Sequence, residues 1–266
     1  MRVLKAASRK LVKRIRSLLW STPGYRQVRL FPIRVRGRRF DALNNVRTAG
    51  VVDFADLDMT GINIEHSHDY EAIDPKLFRK AVGSLDIRHE YFVFVDFGSG
   101  MGRAVLLASE FPFREVVGVE FSPELHAVAE ENIRRYKPDA RRCRDVRSVC
   151  ADALEYAIPE GPSVLFFYNP FKEKLLADVL ENIRRSLERT PREVRVIYVH
   201  PKLAHLMDNN DMLTKVGNGK VTAVSYIVYK GSGRLRRAAA SFEESVLKKS
   251  AAVAGRAVVE QGTVNG

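Results

Sequence analysis

The chain has 266 residues, 45% of them hydrophobic and 29% charged, which is a globular composition with enough apolar side chains for a substantial core. Bulk disorder, collagen and coiled coil are excluded for the chain as a whole, and no apolar run approaches the roughly 18 residues that a bilayer-spanning helix needs. Two cysteines, Cys143 and Cys150, provide neither a disulfide framework nor a zinc quartet and suit a reducing compartment. The net charge of +12 is unevenly placed. Residues 1–50 hold 14 Lys and Arg and a single acid, Asp41, whereas residues 51–266 hold 30 Lys and Arg against 31 acids. The body is close to neutral, so the excess charge points to an N-terminal arm that meets something anionic or is simply a solvated basic segment.

Residues 1–24 read as a basic amphipathic helix. Leu4, Leu11, Ile15, Leu18 and Leu19 fall near one face, with Arg and Lys on the other, and Ser21-Thr-Pro-Gly24 is expected to stop it. Such a helix either lies on an anionic membrane surface through residues 2–20 or docks on its own domain. Charges interrupt the apolar stretches too often for a secretory signal, although an Arg-rich, acid-poor start also fits a mitochondrial presequence. The expected location is the cytoplasm, peripheral to the membrane if the arm inserts. Residues 25–73 read as a strand or hairpin followed by a lid-like loop. Alternation of apolar and basic side chains over 27–40 predicts the strand, and residues 41–69 lack a clear period.

From residue 74 the pattern alternates. Asp74-Pro75 predicts an N-capped helix to about Leu85. Tyr91–Asp96 is a continuous apolar run typical of a buried parallel strand. A glycine-rich turn and a helix over 104–110 follow, then a strand at 115–120, a Ser122-capped helix to about Tyr136, a strand at 146–150 and another at 164–168. A helix over 172–187 and a strand over 194–200 come next. Runs at 212–216 and 221–229 flank Gly217-Asn218-Gly219, a hairpin signal. Alternation of this kind predicts a parallel sheet with helices on both faces and a ligand at the carboxyl ends of the strands. Residues 231–266 read as a C-terminal helix or loose tail.

The turn at Val95-Asp-Phe-Gly-Ser-Gly-Met-Gly-Arg103 joins a buried strand to a helix start, whose free N–H groups suit a carboxylate or phosphate. The dinucleotide fingerprint needs glycine at relative position 6, where this chain has Arg103, which speaks against NAD; no P-loop lysine is present. Glu120 stands 18 residues past Gly102 at the end of the second strand and can accept hydrogen bonds from ribose hydroxyls. Asp152 follows the third strand and can accept from an adenine amino group. Phe166-Phe-Tyr-Asn-Pro-Phe171 ends the fourth.

Loop, Glu120, Asp152 and Asn-Pro-Phe in this order resemble the class I S-adenosylmethionine-dependent methyltransferases over residues 74–230. The wording DFGSGMGR followed by GVEFSPEL looks like the cofactor region of non-SET histone lysine methyltransferases and their bacterial relatives. The resemblance implies a Rossmann-like α/β fold with a seven-stranded, mostly parallel sheet of order 3-2-1-4-5-7-6. It implies S-adenosyl-L-methionine as cofactor, with Asp96, Gly98, Ser99, Gly100 and Gly102 at the methionine part, Glu120 and Phe121 at the ribose, and Asp152 and Ala153 at the adenine. Tyr70 and Glu71 match a segment that closes over the cofactor in the histone-methylating relatives. Arg103 either meets the cofactor carboxylate or pairs with an acid on a neighbouring helix.

The methyl donor is a sulfonium, so the site has to align nucleophile, carbon and sulfur and to exclude water. Asn169 and Phe171 stand where amino-methylating relatives hold the acceptor, but the motif has one proline where those relatives have two, which counts against a nucleobase. His200 ends the fifth strand and is a candidate base for a hydroxyl acceptor, or a structural histidine. His66, His68 and Asp69 form too small a set for a metal site, and no metal is expected. The acceptor readings are a protein lysine amine, a glycan or lipid-linked hydroxyl at a membrane, and an RNA, which the near-neutral body does not favour. Two further classes are a non-catalytic module that binds the cofactor without transferring its methyl, and an NAD enzyme.

Overall fold

The computed structural model describes residues 23–52, 70–136, 139 and 141–232, excepting the side chains of 23–33 and 51–52. The arm at 2–20, the stretch 53–69 with His66, His68 and Asp69, and the tail from 233 lie outside the described residues.

The elements run α1 (Pro23–Asn44), β1 (Val51–Val52), β2 (Tyr70–Glu71), α2 (Pro75–Gly83), β3 (Val93–Phe97), α3 (Arg103–Ala108), β4 (Glu115–Glu120), α4 (Pro123–Arg135), β5 (Val146–Cys150), β6 (Ser163–Tyr168), α5 (Glu173–Arg189), β7 (Val194–Val199), α6 (Ala204–Asp208), β8 (Leu213–Val221) and β9 (Val224–Gly231). Seven strands form one sheet in the order β5-β4-β3-β6-β7-β9-β8. Numbered within the sheet alone, this is the expected 3-2-1-4-5-7-6. The strands from β5 across to β7 pair in parallel, and β9 enters antiparallel between β7 and β8. The order reverses between β3 and β6, which places the crevice for a ligand at the carboxyl ends of those strands.

Period-two alternation sends side chains to two separate cores. Phe94, Val116, Val164, Phe166 and Ile197 pack with Leu77, Phe78, Ala81 and Val82 of α2 and with all of α3 from Ala104 to Ala108. Val93, Val95, Phe97, Val117, Leu165, Phe167 and Val196 pack on the opposite face against Leu175, Leu176, Val179, Leu180, Ile183 and Leu187 of α5. Those α5 positions follow the helical repeat, which gives the helix one buried stripe. The caps read from the sequence are present. Asp74 accepts from the Lys76 amide at 2.9 Å, and Ser122 accepts from Leu125 at 3.3 Å.

Two sequence expectations are corrected. Residues 27–40 belong to helix α1, not to a strand, and Pro23 of the expected stop signal begins that helix instead. The period that decides this is tertiary. Arg36, Gly37, Phe40, Asp41 and Asn44 recur every three to four residues on the face turned to the body. Along that face the Arg36 Nε donates to Asp74 at 3.1 Å, Phe40 packs on Tyr136 at 5.9 Å between ring centroids, and Asp41 pairs with Arg103 at 2.9 Å. The second correction concerns the closing hairpin. Its turn lies at Thr222-Ala223, between Val221 and Val224, and Gly217-Asn218-Gly219 lies within β8. A side chain at Gly219 would collide with the ring of Tyr226 on β9, so that glycine clears room for a cross-strand aromatic rather than making the turn. Thr222 takes the left-handed conformation, at φ +54°. Cys143 and Cys150 are both free.

Candidate functional site

The β3–α3 loop is built as a cradle. Gly98, Gly100 and Gly102 all have positive φ, at +73°, +54° and +83°, a conformation costly for residues with a Cβ. Position 100 admits glycine alone, because a Cβ there would overlap the ring of Tyr70. The loop is tied to β4 from both sides. The amides of Gly98 and Ser99 donate to the Val119 carbonyl at 2.9 and 3.1 Å, and the Gly100 amide donates to Glu120 Oε2 at 2.7 Å. Glu120 Oε1 accepts from the Ser122 amide at 3.0 Å. Glu120 therefore holds the loop while its remaining lone pairs stay directed to the cavity it lines.

Two cavities meet at this loop. The larger, with about 590 Å³ of empty volume open to solvent, is lined by Tyr70, Glu71, Ala72, Ile73, Asp96, Gly98, Ser99, Gly100, Arg103, Ala104, Glu120, Phe121, Leu125, Phe166, Tyr168, Pro170 and Phe171. The smaller, about 270 Å³, is lined by Gly98, Val119, Phe121, Ala151, Asp152, Ala153, Phe171 and Leu175. Gly98, Phe121 and Phe171 belong to both, so the two form one elongated crevice across the ends of β3, β4, β5 and β6. The expected cofactor residues Tyr70, Glu71, Asp96, Gly98, Ser99, Gly100, Arg103, Glu120, Phe121, Asp152 and Ala153 all line it. Gly102 supports it from behind, as the left-handed N-cap of α3.

The floor is acidic and buried. Asp96 is only 3% exposed, and burial, reinforced by the like charge of Glu120, pushes its carboxyl up to about 8. Burial also raises Glu120, opposed by the backbone amides that donate to it. Ser99 Oγ is buried without a hydrogen-bond partner among the described residues. A buried hydroxyl lacking a partner, a buried acid whose neighbouring charge is another acid, and a glycine cradle suit a ligand with cationic groups and several hydroxyls. Such a ligand fits the donor set of S-adenosylmethionine. Its ammonium would meet Asp96, its ribose Glu120, and its adenine the apolar walls Ala153, Phe171 and Leu175 beside Asp152. Asp152 Oδ1 also caps its own turn, accepting from the Leu154 amide at 2.8 Å.

Arg103 has a role that the sequence left open between two alternatives. It is 3% exposed and its guanidinium is spent on the N-terminal segment. It donates to Thr48 Oγ1 at 2.6 Å, to Asp41 at 2.9 Å, and to the carbonyls of Gly37 and Ile73 at 3.3 and 3.4 Å. The acid it pairs with lies on α1. Asp41 in turn accepts from the amides of Thr48 and Ala49 at 2.7 and 2.6 Å. The Tyr70 hydroxyl donates to the Thr48 carbonyl at 2.8 Å, and burial raises its pKa. Asn132 of α4 accepts from the Arg47 amide at 2.8 Å and donates to the Arg47 and Met101 carbonyls at 2.9 Å each. Residues 36–49 thus form a wall behind the crevice, backing Arg103 and Tyr70, which line it, and Tyr70 closes over the glycine loop.

The three acceptor candidates separate. Phe171 lines both cavities and packs edge-on against Phe167 at 6.3 Å, so it forms the wall between them. Asn169 has φ +46°, is buried, and its Oδ1 accepts from the Tyr198 hydroxyl at 3.1 Å; it is absent from the lining of either cavity. His200, also left-handed at φ +51°, is absent from both linings as well, and its amide donates to the Ser225 carbonyl at 2.8 Å. The sequence reading set the run from Phe166 to Phe171 at the crevice without singling out Phe166 and Tyr168, which alternate on β6 to face it, and it missed Ile73 and Leu125. The period-two rule could have supplied Tyr168. The wall from Gly37 to Thr48 left no sequence signal, because the contacts that tie it to the body are long-range. No metal-ligating cluster occurs among the described residues.

No family model matches the chain, and no curated protein sequence matches it. Solved structures of similar fold include TrmN from Thermus thermophilus, at 14% identity and TM-score 0.44 over 60% of this chain and 49% of that one. They also include a ribosomal protein L11 methylase from Lactobacillus delbrueckii subsp. bulgaricus, at 12% identity and TM-score 0.45 over 68% and 98%. A third is an RNA methyltransferase from Salinibacter ruber in complex with S-adenosyl-L-homocysteine, at 19% identity and TM-score 0.41 over 60% and 93%. The chain spans about half the length of the Thermus protein. At these scores the likenesses carry no activity, cofactor or substrate over to this chain.

Proposed function

We propose that this chain is an S-adenosylmethionine-dependent methyltransferase. The observation that carries the reading is the continuous crevice at the reversal of the strand order, with the glycine cradle, Asp96, Glu120 and Asp152 spaced along it in that sequence. The cofactor, when bound, supplies an activated methyl on a cationic sulfur. The protein's own contribution is positional. Glu120 holds the glycine loop and presents acceptor lone pairs. Asp96 offers a buried negative charge to a cation. Tyr70, held in place by the Thr48 carbonyl of the wall at 36–49, shields the methionine end from water, which strengthens both interactions.

The acceptor is an amine nitrogen, a protein lysine in its sharpest form. The support is the lining of the larger cavity beyond the loop, where the aromatic side chains of Tyr70, Phe166 and Tyr168 stand beside the exposed carboxylate residue Glu71. Aromatic faces and a carboxylate suit a group that arrives as an ammonium and reacts as the neutral amine. A hydroxyl acceptor needs a base on the cavity, and His200, the base considered for it, is not in the lining. The test is transfer of tritiated methyl from the cofactor to lysate proteins, followed by hydrolysis and amino-acid analysis. Label in methylated lysine supports the reading. Label confined to lipid or glycan fractions overturns the amine acceptor, and no transfer to any fraction, with cofactor binding intact, would favour the non-catalytic module.

A further inference from the structure

Of the fifty N-terminal residues, those of α1 from Arg34 onward present their charge on two faces with different fates. Their single acid, Asp41, faces inward and is consumed by Arg103. The inward face is fixed at several points, by Arg36 on Asp74, Phe40 on Tyr136 and Asp41 on Arg103, so the outward face has a fixed direction. That outward face carries Arg34, Arg38 and Arg39, all exposed and none in an ion pair with any described residue. The other surface helices behave differently. On α4, Arg134 and Arg135 pair with Glu131, and on α5, Arg184 and Arg185 pair with Glu181 at 2.7 and 2.9 Å. These arginines of α4 and α5 are thus neutralised by acids of their own helix, whereas α1 has no acid but the inward-facing Asp41 to neutralise its outward arginines.

From this arrangement we infer that the outward face of α1, through Arg34, Arg38 and Arg39, is a docking surface for the phosphate backbone of a nucleic acid. Guanidinium groups match phosphate oxygens in a two-pronged fork, and a helix already locked to the body loses little freedom on binding. Arg34 and Arg38 lie one helical turn apart and Arg39 stands about 100° round from Arg38, so the three spread over the outward half of the helix. A membrane surface fits less well. Insertion needs a continuous apolar stripe, but Phe40 is spent on the body, and the exposed Val35 and Leu43 stand two turns apart. Gly37 touches Arg103, and Arg103 lines the larger cavity, so the docked polymer would lie about one helix diameter from the methyl-transfer crevice. The inference does not depend on the methyl-transfer reading, nor on which amine accepts the methyl.

The test uses the full-length chain and fluorescently labelled mixed-sequence RNA and DNA strands, with anisotropy titrations between about 50 and 200 mM salt. Wild type is expected to bind with affinity falling steeply with salt. R34Q/R38Q/R39Q is expected to bind at least tenfold more weakly and to lower the salt slope by about 2–3, since each phosphate contact contributes about 0.7–0.9. R184Q/R185Q, which removes paired arginines, should leave the slope unchanged. Thermal unfolding and the shift given by S-adenosylhomocysteine should be the same in all three proteins, which separates failure of the docking surface from failure of the cofactor site. Two results overturn the inference: a triple variant with the wild-type salt slope, or a wild type that ignores both nucleic acids while sedimenting with phosphatidylserine vesicles.

Discussion

The glycine cradle and the wall behind it are built by opposite means. The cradle at 96–102 is local. It lies between one strand and the next helix, its three glycines adopt left-handed backbone within five residues, and its hydrogen bonds go to the adjacent strand. The wall at 36–49 is almost wholly non-local. Its bonds reach Asp74, Arg103 and Asn132, up to 85 residues away, and it has no core of its own. A ligand-binding floor can therefore be specified by sequence neighbours, whereas the wall behind it is specified by distant ties, among them the buried cation Arg103 at a position where a dinucleotide-binding loop would have glycine.

The sharpest way to break that contrast is to remove the cation. Arg103→Met should cost about 3–5 kcal/mol, because it leaves Asp41 in the wall without its partner. Denaturant unfolding would measure the loss, and limited proteolysis should show cleavage moving into residues 36–49 while the sheet stays protected. Gly100→Ala attacks the cradle instead. The added methyl meets Tyr70 at a left-handed backbone position, so a loss of about 2 kcal/mol is expected, together with failure to bind cofactor even where the protein remains folded.

Protonation of the floor gives a subtler handle. Asp96 titrates near 8 in the folded chain, above its unfolded value, so the folded state holds a proton that the unfolded state releases at lower pH. Its contribution to stability of the ligand-free protein should therefore fall as pH rises from about 4 to 8 and level off above that. Binding of a cationic ligand favours the ionised carboxylate, so affinity for S-adenosylhomocysteine should improve from pH 6 towards 8. Asp96→Asn should flatten both trends in urea denaturation and calorimetry. The smallest effect belongs to the caps: Ser122→Ala should cost about 1 kcal/mol and leave cofactor affinity within twofold, because the hydroxyl serves only the start of α4.

What was legible in the sequence follows the same division. The alternation of apolar runs and capped helices predicts the parallel sheet, the family resemblance implies its order, and Asp96, Glu120 and Asp152 fall on the crevice because strand ends in such a sheet converge there. The failures came wherever distant contacts overrode local pattern. Residues 27–40 alternate as a strand would, yet Arg103, Asp74 and Tyr136 select their helical face. Gly217 and Gly219 resemble a turn, yet the ring of Tyr226 claims the space above Gly219. Asn169 sits in a motif that suggests substrate contact, yet Tyr198, 29 residues on, takes its side-chain oxygen.

The central claim is that the crevice holds S-adenosylmethionine with Glu120 at its middle. The most direct measurement is the melting temperature of wild type and Glu120→Ala with and without S-adenosylhomocysteine. At a ligand concentration about one hundred times the dissociation constant, binding adds about 2.7 kcal/mol, so wild type should melt several degrees higher and Glu120→Ala should show little or no shift. A folded wild type that melts at the same temperature with and without the ligand would contradict the account.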